Sequence, residues 1–143
     1  MRIVEIMQTD LVCCDPATTA VEAAQLMTRR RVGACLVMDG PSLAGILTER
    51  DLVRAIGEHD DVRDRTAADL MTAEVTLAPP DAEAVWAAEA MKRLGVRHLP
   101  VGEDGRVVGI VSLRDLFAVA EAMLRLDPDG VVAARDVLSA AHG

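Results

Sequence analysis

The chain of 143 residues contains no tyrosine, and Trp86 and Phe117 are its only aromatic side chains. Its core must therefore be assembled from Val, Leu, Ile, Ala and Met, which dominate an apolar content of 51%. Trp86, with no companion ring, reads as packing or as part of a dimer face. Positive charge is also scarce: 15 Lys and Arg face 23 Asp and Glu, for a net charge of −8. Nucleic-acid phosphates demand a basic footprint, so that class of partner is excluded. The one basic run, Arg29-Arg30-Arg31, falls at the end of an expected helix, where cations favour the dipole.

No apolar run approaches the roughly 20 residues that span a bilayer, so no membrane partner is expected. Cysteines are few and odd in number: Cys13, Cys14 and Cys35. With no signal peptide, they suggest a reduced, cytoplasmic setting and buried structural thiols. Cys13 and Cys14 are neighbours in an expected strand and point to opposite faces, so they do not offer one metal site as a pair. His59, His98 and His142 are scattered and form no zinc-type grouping. His98 reads first as a hydrogen-bonded, partly buried strand residue.

What the chain has instead is a repeat. Shifted by 64 residues, positions 7–52 align without a gap, and 15 of the 46 are identical. Met7 meets Met71, Pro16 meets Pro80, Met27 meets Met91, and Gly45, Ile46, Arg50, Asp51 and Leu52 meet Gly109, Ile110, Arg114, Asp115 and Leu116. Two units are too few for a solenoid, so a closed pair related by a pseudo-two-fold axis is expected. The organisation predicted is a first repeat over 1–58, a linker over 59–66, a second repeat over 67–126 and a tail over 127–143.

Each repeat reads β-α-β-β-α, an α/β (α+β) architecture. The first is predicted to have strands at 11–14, 34–38 and 43–47. Its helices are placed at 20–30, capped by Thr18 or Thr19, and at 48–56, stopped by Gly57. The second is predicted to have strands at 75–77, 98–101 and 107–111, with helices at 82–94, ended by Gly95, and from 112 to about 126. A short extra helix is expected at 131–141.

One motif recurs where a buried strand turns into a helix: Gly45-Ile46-Leu47-Thr48-Glu49-Arg50-Asp51 and Gly109-Ile110-Val111-Ser112-Leu113-Arg114-Asp115. Two readings stand. A hydroxyl followed three residues later by a carboxylate is close to a capping box. The same parts also make a nucleotide cradle. Free N–H groups and the dipole at a helix start suit a phosphate. A carboxylate accepts two hydrogen bonds from a vicinal diol, and Arg50 or Arg114 supplies a cation.

The paired repeat, the doubled Gly-x-x-Thr/Ser-x-x-Asp, the strand Val96-Arg97-His98-Leu99-Pro100-Val101 and the opening Met71-Thr72 together resemble the cystathionine-β-synthase (CBS) domain family, over residues 3 to about 122. The resemblance implies a tandem CBS pair, or Bateman module. Two β-α-β-β-α units pack sheet to sheet, and two modules commonly form a homodimer. It implies a regulatory module that senses adenine nucleotides (AMP, ADP or ATP) or, second to these, NAD or S-adenosylmethionine, and passes the signal to a protein partner in trans.

The family pattern also implies two clefts. In one, Asp115 would hold the ribose, Ser112 the phosphate side with Arg114 nearby, Val12 the base through its backbone, and Ile110 the pocket wall, while Gly33 and Arg97 would face the phosphates. In the other, Asp51, Thr48 and Arg50 take the first roles, with Thr76 and Ile46 around the base. The repeat register places Arg97 over Gly33, so the Asp115 cleft is predicted to be the tighter. The alternative is a structural or interaction scaffold with no ligand. An enzyme is not expected, because no nucleophile–base pair or metal cluster can be read from the sequence.

Overall fold

The structure is a computed structural model and describes residues 1–126. The expected tail helix at 131–141 lies outside the described residues. The element order is β1 (Cys13–Cys14), α1 (Ala20–Arg30), β2 (Ala34–Asp39), β3 (Ser42–Thr48), α2 (Glu49–Glu58), α3 (Ala67–Leu70), α4 (Ala84–Leu94), β4 (His98–Glu103), β5 (Arg106–Ser112) and α5 (Leu113–Leu126). The chain is thus an α+β protein of two related halves.

In the first half β1 runs parallel to β2, and β2 pairs antiparallel with β3. In the second, β4 and β5 form the matching hairpin. Both hairpins slip register at equivalent places, between Val37 and Met38 and between Val101 and Gly102. The duplication therefore preserves even the irregularity of the ladder.

Local signals account for the helices. Thr19 caps α1 by accepting from the Glu22 N–H, and the Glu22 carboxylate accepts from the Thr19 N–H in return. Gly95, at φ 68, ends α4 in the left-handed conformation. Its counterpart in the first half is Arg31, which adopts the same conformation at φ 54 despite its side chain. The buried face of α4 is Ala87, Ala90 and Met91, two small alanines beside one long, adaptable methionine that fills the space against the sheet.

Several expectations are corrected. Residues 75–77 form no strand; Ala78 alone bridges to Val101. In the first half the Leu36 N–H donates to the Val12 carbonyl; its repeat mate is Pro100, which has no N–H to offer the Thr76 carbonyl. Gly57 does not stop α2, which runs on to Glu58. Helix α4 begins at Ala84 rather than 82, because the Ala82 carbonyl accepts from the Ile3 N–H at 2.8 Å and the Ala84 N–H donates to the Met1 carbonyl at 2.8 Å. Within the stretch predicted as a plain repeat start, residues 67–70 fold as the one-turn helix α3, capped by Thr66.

These contacts reveal an exchange between the halves. Ile3 is fully buried with Leu99, Val101 and Val111 of the second half. Ala67 is buried with Val12, Met27 and Leu47 of the first. Gln8 exchanges backbone hydrogen bonds with Ile110, and Thr72 does the same with Ile46. Each opening segment therefore completes the other half.

Close approach of these segments requires glycine on the strands they cover. A Cβ at Gly45 would stand 2.6 Å from the Thr72 carbonyl oxygen and 2.6 Å from Met71 Sδ. At Gly109 it would stand 2.5 Å from Met7 Sδ and 3.1 Å from the Gln8 carbonyl oxygen. A third apolar cluster lies between the two sheets. It holds Ala34, Leu36 and Ile46, with Leu11, Val75 and Ile110 packed against it.

Candidate functional site

The two repeated motifs sit at the starts of α2 and α5. Thr48 donates its N–H and its hydroxyl to Asp51 Oδ2 at 2.9 and 3.0 Å, and its Oγ1 accepts from the Asp51 N–H at 3.3 Å. Ser112 and Asp115 repeat the arrangement at 2.8, 2.9 and 3.2 Å. Both motifs are complete capping boxes. Each aspartate uses one carboxylate oxygen for the cap and turns the other outward.

The outward oxygens differ in their company. Asp51 is buried, at 7% exposure, and its Oδ1 lies 3.7 Å from the Arg54 guanidinium, one turn along the helix. Asp115 is half-buried, and its Oδ1 accepts from the neutral side-chain amide of Gln8 at 3.2 Å. Neither Arg54 nor Gln8 was singled out in the sequence. Arg54 could have been found from its i, i+3 spacing to Asp51. Gln8 carried no local signal, because its proximity to Asp115 depends on the exchange of segments.

The remaining predicted site residues are placed as follows. Ile46 and Ile110 meet in the apolar cluster between the sheets. The Val12 side chain is buried beneath β2, and its carbonyl accepts from the Leu36 N–H at 2.9 Å. Thr76 is exposed, beside the bridge at Ala78. The Gly33 carbonyl accepts from the Glu49 N–H, and the Arg97 carbonyl accepts from the Leu113 N–H, so these two residues hold matching places behind the two helix starts. Arg50 reaches across the halves and donates to the Gly95 carbonyl at 2.9 Å. Arg97 and Arg114 are exposed, and neither forms an ion pair among the described residues.

Between the helix starts lies His98. A Cβ at Gly33 would be 3.5 Å from His98 Cε1 and 3.5 Å from Glu49 Oε2, so both halves converge here. Burial lowers the His98 pKa; the negative charges of Glu49 and Asp115 oppose this, and Arg97 adds to the lowering. The imidazole is therefore neutral at pH 7, able to donate one hydrogen bond and accept one. It borders the same space as Arg97 and Asp115.

The cysteines are more varied than expected. Cys35 is buried and Cys14 half-buried, but Cys13 is exposed, a correction that follows from β1 being two residues at a sheet edge. As expected, Cys13 and Cys14 occupy opposite faces: Cys14 packs with the first-half core that also holds Val12, Cys35 and Val37. No group of three His, Cys, Asp or Glu side chains suited to a metal ion occurs among the described residues. No helix among them is long and apolar enough to cross a membrane. A surface cavity of about 440 Å³ lies elsewhere, between Arg2, Val4 and Met7 on one side and Pro80, Asp81 and Glu103 on the other.

Comparison with known proteins bears on this arrangement. A family model described as CBS domain matches residues 3–58 and again 67–122. CBS domain-containing protein YhcV of Bacillus subtilis is 30% identical over 112 residues, covering 78% of this chain and 80% of the relative. The crystal structure of a CBS-domain containing protein from Agrobacterium tumefaciens aligns with a TM-score of 0.80 at 28% identity, covering 84% of this chain and 99% of that one. A CBS domain protein from Pyrobaculum aerophilum, solved in complex with AMP, aligns with a TM-score of 0.73 at 26% identity, covering 80% of this chain and 89% of that one.

Proposed function

Because the chain belongs to the CBS-domain family, we propose that it is a regulatory module that takes an adenosine-containing ligand, AMP or a close relative, at the starts of α2 and α5. The observation that carries this reading is the doubled hydroxyl–aspartate pair at two helix starts that flank His98, with Arg97, which forms no ion pair among the described residues, next to it in the chain. The ribose diol takes the outward oxygen of Asp115, displacing Gln8. The phosphate meets Arg97 and Arg114 near the helix N-terminus. The AMP complex of the Pyrobaculum relative supports the ligand class. Binding alters shape or self-association, and a protein partner reads the change.

The module is regulatory rather than catalytic in this reading. Each hydroxyl donates a hydrogen bond to its own capping aspartate and accepts one from that residue's N–H, an arrangement that holds a helix end. Homodimerisation belongs to the same proposal. Val53 on α2 and Phe117 on α5 are equivalent in the repeat, and each is 69% exposed. Together with Ile56 they place apolar surface on the two helices that carry the motifs. Three unpaired thiols fit a reducing, cytoplasmic compartment.

A second reading, a ligand-free scaffold, is favoured by one feature: among the described residues no buried side-chain polar atom lacks a partner. Thermal unfolding with and without millimolar AMP, ADP, ATP, NAD and S-adenosylmethionine separates the two. A ligand at 100 times its dissociation constant adds about 2.7 kcal/mol. The sensor reading expects a rise with an adenosine ligand that Asp115→Ala abolishes. No rise with any of the five assigns the motifs to helix capping alone.

A further inference from the structure

Cys14 Sγ and Cys35 Sγ lie 3.5 Å apart. Their closeness follows from the ladder. In the parallel pairing of β1 with β2, Cys14 stands opposite Val37, two residues beyond Cys35. Side chains two apart on a strand share a face, so Cys14 and Cys35 form a same-face diagonal pair. Diagonal neighbours are within reach of one another across adjacent strands. Cys13 is on the opposite face and is exposed.

The two thiols are unlike. Cys35 is buried to 0% exposure, whereas Cys14 is half-buried at the sheet edge and has the Thr18 hydroxyl as a neighbour. We propose that Cys14 and Cys35 form a reversible modification site, at which a hydroperoxide oxidises the pair to an intrachain disulfide. Cys14 is the attacking sulfur and Cys35 the resolving one.

The charge balance supports that division. Contact with Cys35 lowers the Cys14 pKa, with burial opposing it and Thr18 assisting. The same contact and burial raise that of Cys35. The shared proton therefore stays on Cys35, and thiolate character falls on the more accessible sulfur, as nucleophilic attack requires.

The Cys14 thiolate attacks one peroxide oxygen and breaks the O–O bond, giving Cys14 sulfenic acid and hydroxide, which takes up a proton to become water. The Cys35 sulfur then attacks the sulfenic sulfur. The S–S bond forms, the S–O bond breaks, and the departing hydroxide leaves as water with the Cys35 proton. Two thiols and one hydrogen peroxide give one disulfide and two waters. A dithiol reductant reverses the reaction by thiol–disulfide exchange.

The test uses the full reduced chain and hydrogen peroxide, with free thiols alkylated before peptide mass measurement. The expected product is a linked peptide pair, lighter by two hydrogen atoms than its two parts, restored by dithiothreitol. Cys13 and Cys14 fall on one tryptic peptide, so the variants assign the bond. Cys13→Ser keeps the link, and Cys14→Ser loses it. Cys35→Ser leaves Cys14 as a sulfenic acid that dimedone labels. Should Cys35→Ser fail to fold, the unmodified chain and Cys13→Ser still decide the matter. A link that survives in Cys14→Ser overturns the proposal, as does oxidation confined to disulfides between the Cys13 residues of two chains. Neither arm depends on whether a nucleotide binds.

Discussion

Gln8 and Asp115 stand 107 residues apart in the chain, yet the side-chain amide of one donates to the carboxylate of the other at 3.2 Å. The repeat mate of this contact would join Thr72 to Asp51, and there the carboxylate faces Arg54 instead. A ribose arriving at Asp115 exchanges one neutral hydrogen bond for another. A ribose arriving at Asp51 must share that oxygen with a guanidinium. The Asp115 cleft also has Arg97 where the other has Gly33. Loss of one charge-assisted hydrogen bond costs about 1.5–3 kcal/mol, or roughly ten- to a hundredfold in affinity. In calorimetric titration with AMP, Asp115→Ala is expected to weaken binding more than Asp51→Ala. The opposite order would sink this ranking of the clefts.

The covered glycines should be intolerant to different degrees. At Gly45 a methyl group meets the Thr72 backbone carbonyl at 2.6 Å, which cannot swing aside. At Gly109 the nearest obstacle is the flexible Met7 thioether, with backbone further off at 3.1 Å. Forcing a methyl group into packed space costs about 1–3 kcal/mol. Urea unfolding should place Gly45→Ala toward the upper end and Gly109→Ala toward the lower.

Arg31 supplies a prediction of opposite sign. It holds the left-handed conformation at φ 54 that Gly95 holds freely in the second half. That conformation costs a residue with a side chain about 1–2 kcal/mol. Arg31 is exposed and ends a helix, so Arg31→Gly should raise the unfolding free energy by about 1 kcal/mol once the added chain entropy of glycine is offset, read as a higher midpoint in urea.

The fold was legible in the sequence to a degree that these residues explain. Hydrophobic runs and turn chemistry placed both hairpins within a residue or two, and α1 matched over residues 20–30. Those signals are local. Ile3 and Ala67 were not legible as core residues of the opposite halves, because repeat alignment reveals likeness between segments and says nothing of which half a segment packs on. Thr48, Asp51, Ser112 and Asp115 stand out as candidates because they recur together. Glu49 and His98 share a space only after two helix starts converge, so their proximity had no signature in spacing. Residues 75–77 have the β-branched character of Val75 and Thr76 but no ladder, because the facing strand presents Pro100, without an N–H, where the first half presents Leu36.

His98 gives the pH dependence. Its folded-state pKa is depressed below the unfolded value of 6.5, chiefly by burial. An unfolded chain then binds more protons than the folded one in the interval between the two values, so stability rises with pH there. Lowering the pH from 7 should therefore begin to destabilise the protein near 6.5, with the loss growing toward the folded-state value. Thermal melts of the unmodified chain and of His98→Asn across pH 7 to 5 check this, since the variant should lose that part of the slope.

Surface apolar residues make the last prediction. Val53, Ile56 and Phe117 form the dimer face in the proposal above, and Phe117→Glu would place a charge into it. Sedimentation should show the unmodified chain as a dimer and Phe117→Glu shifted to monomer, with the melting temperature becoming independent of concentration. A monomer at every concentration for the unmodified chain would count against this face.

The exchange of opening segments carries a consequence for origins and for folding alike. A chain of one repeat could not close its own core, because the piece that seals it reaches away; it could be satisfied only by lending that piece to a twin and borrowing one back. Joined in tandem, the two repeats keep this mutual loan within one molecule. The halves are thus clasped rather than stacked.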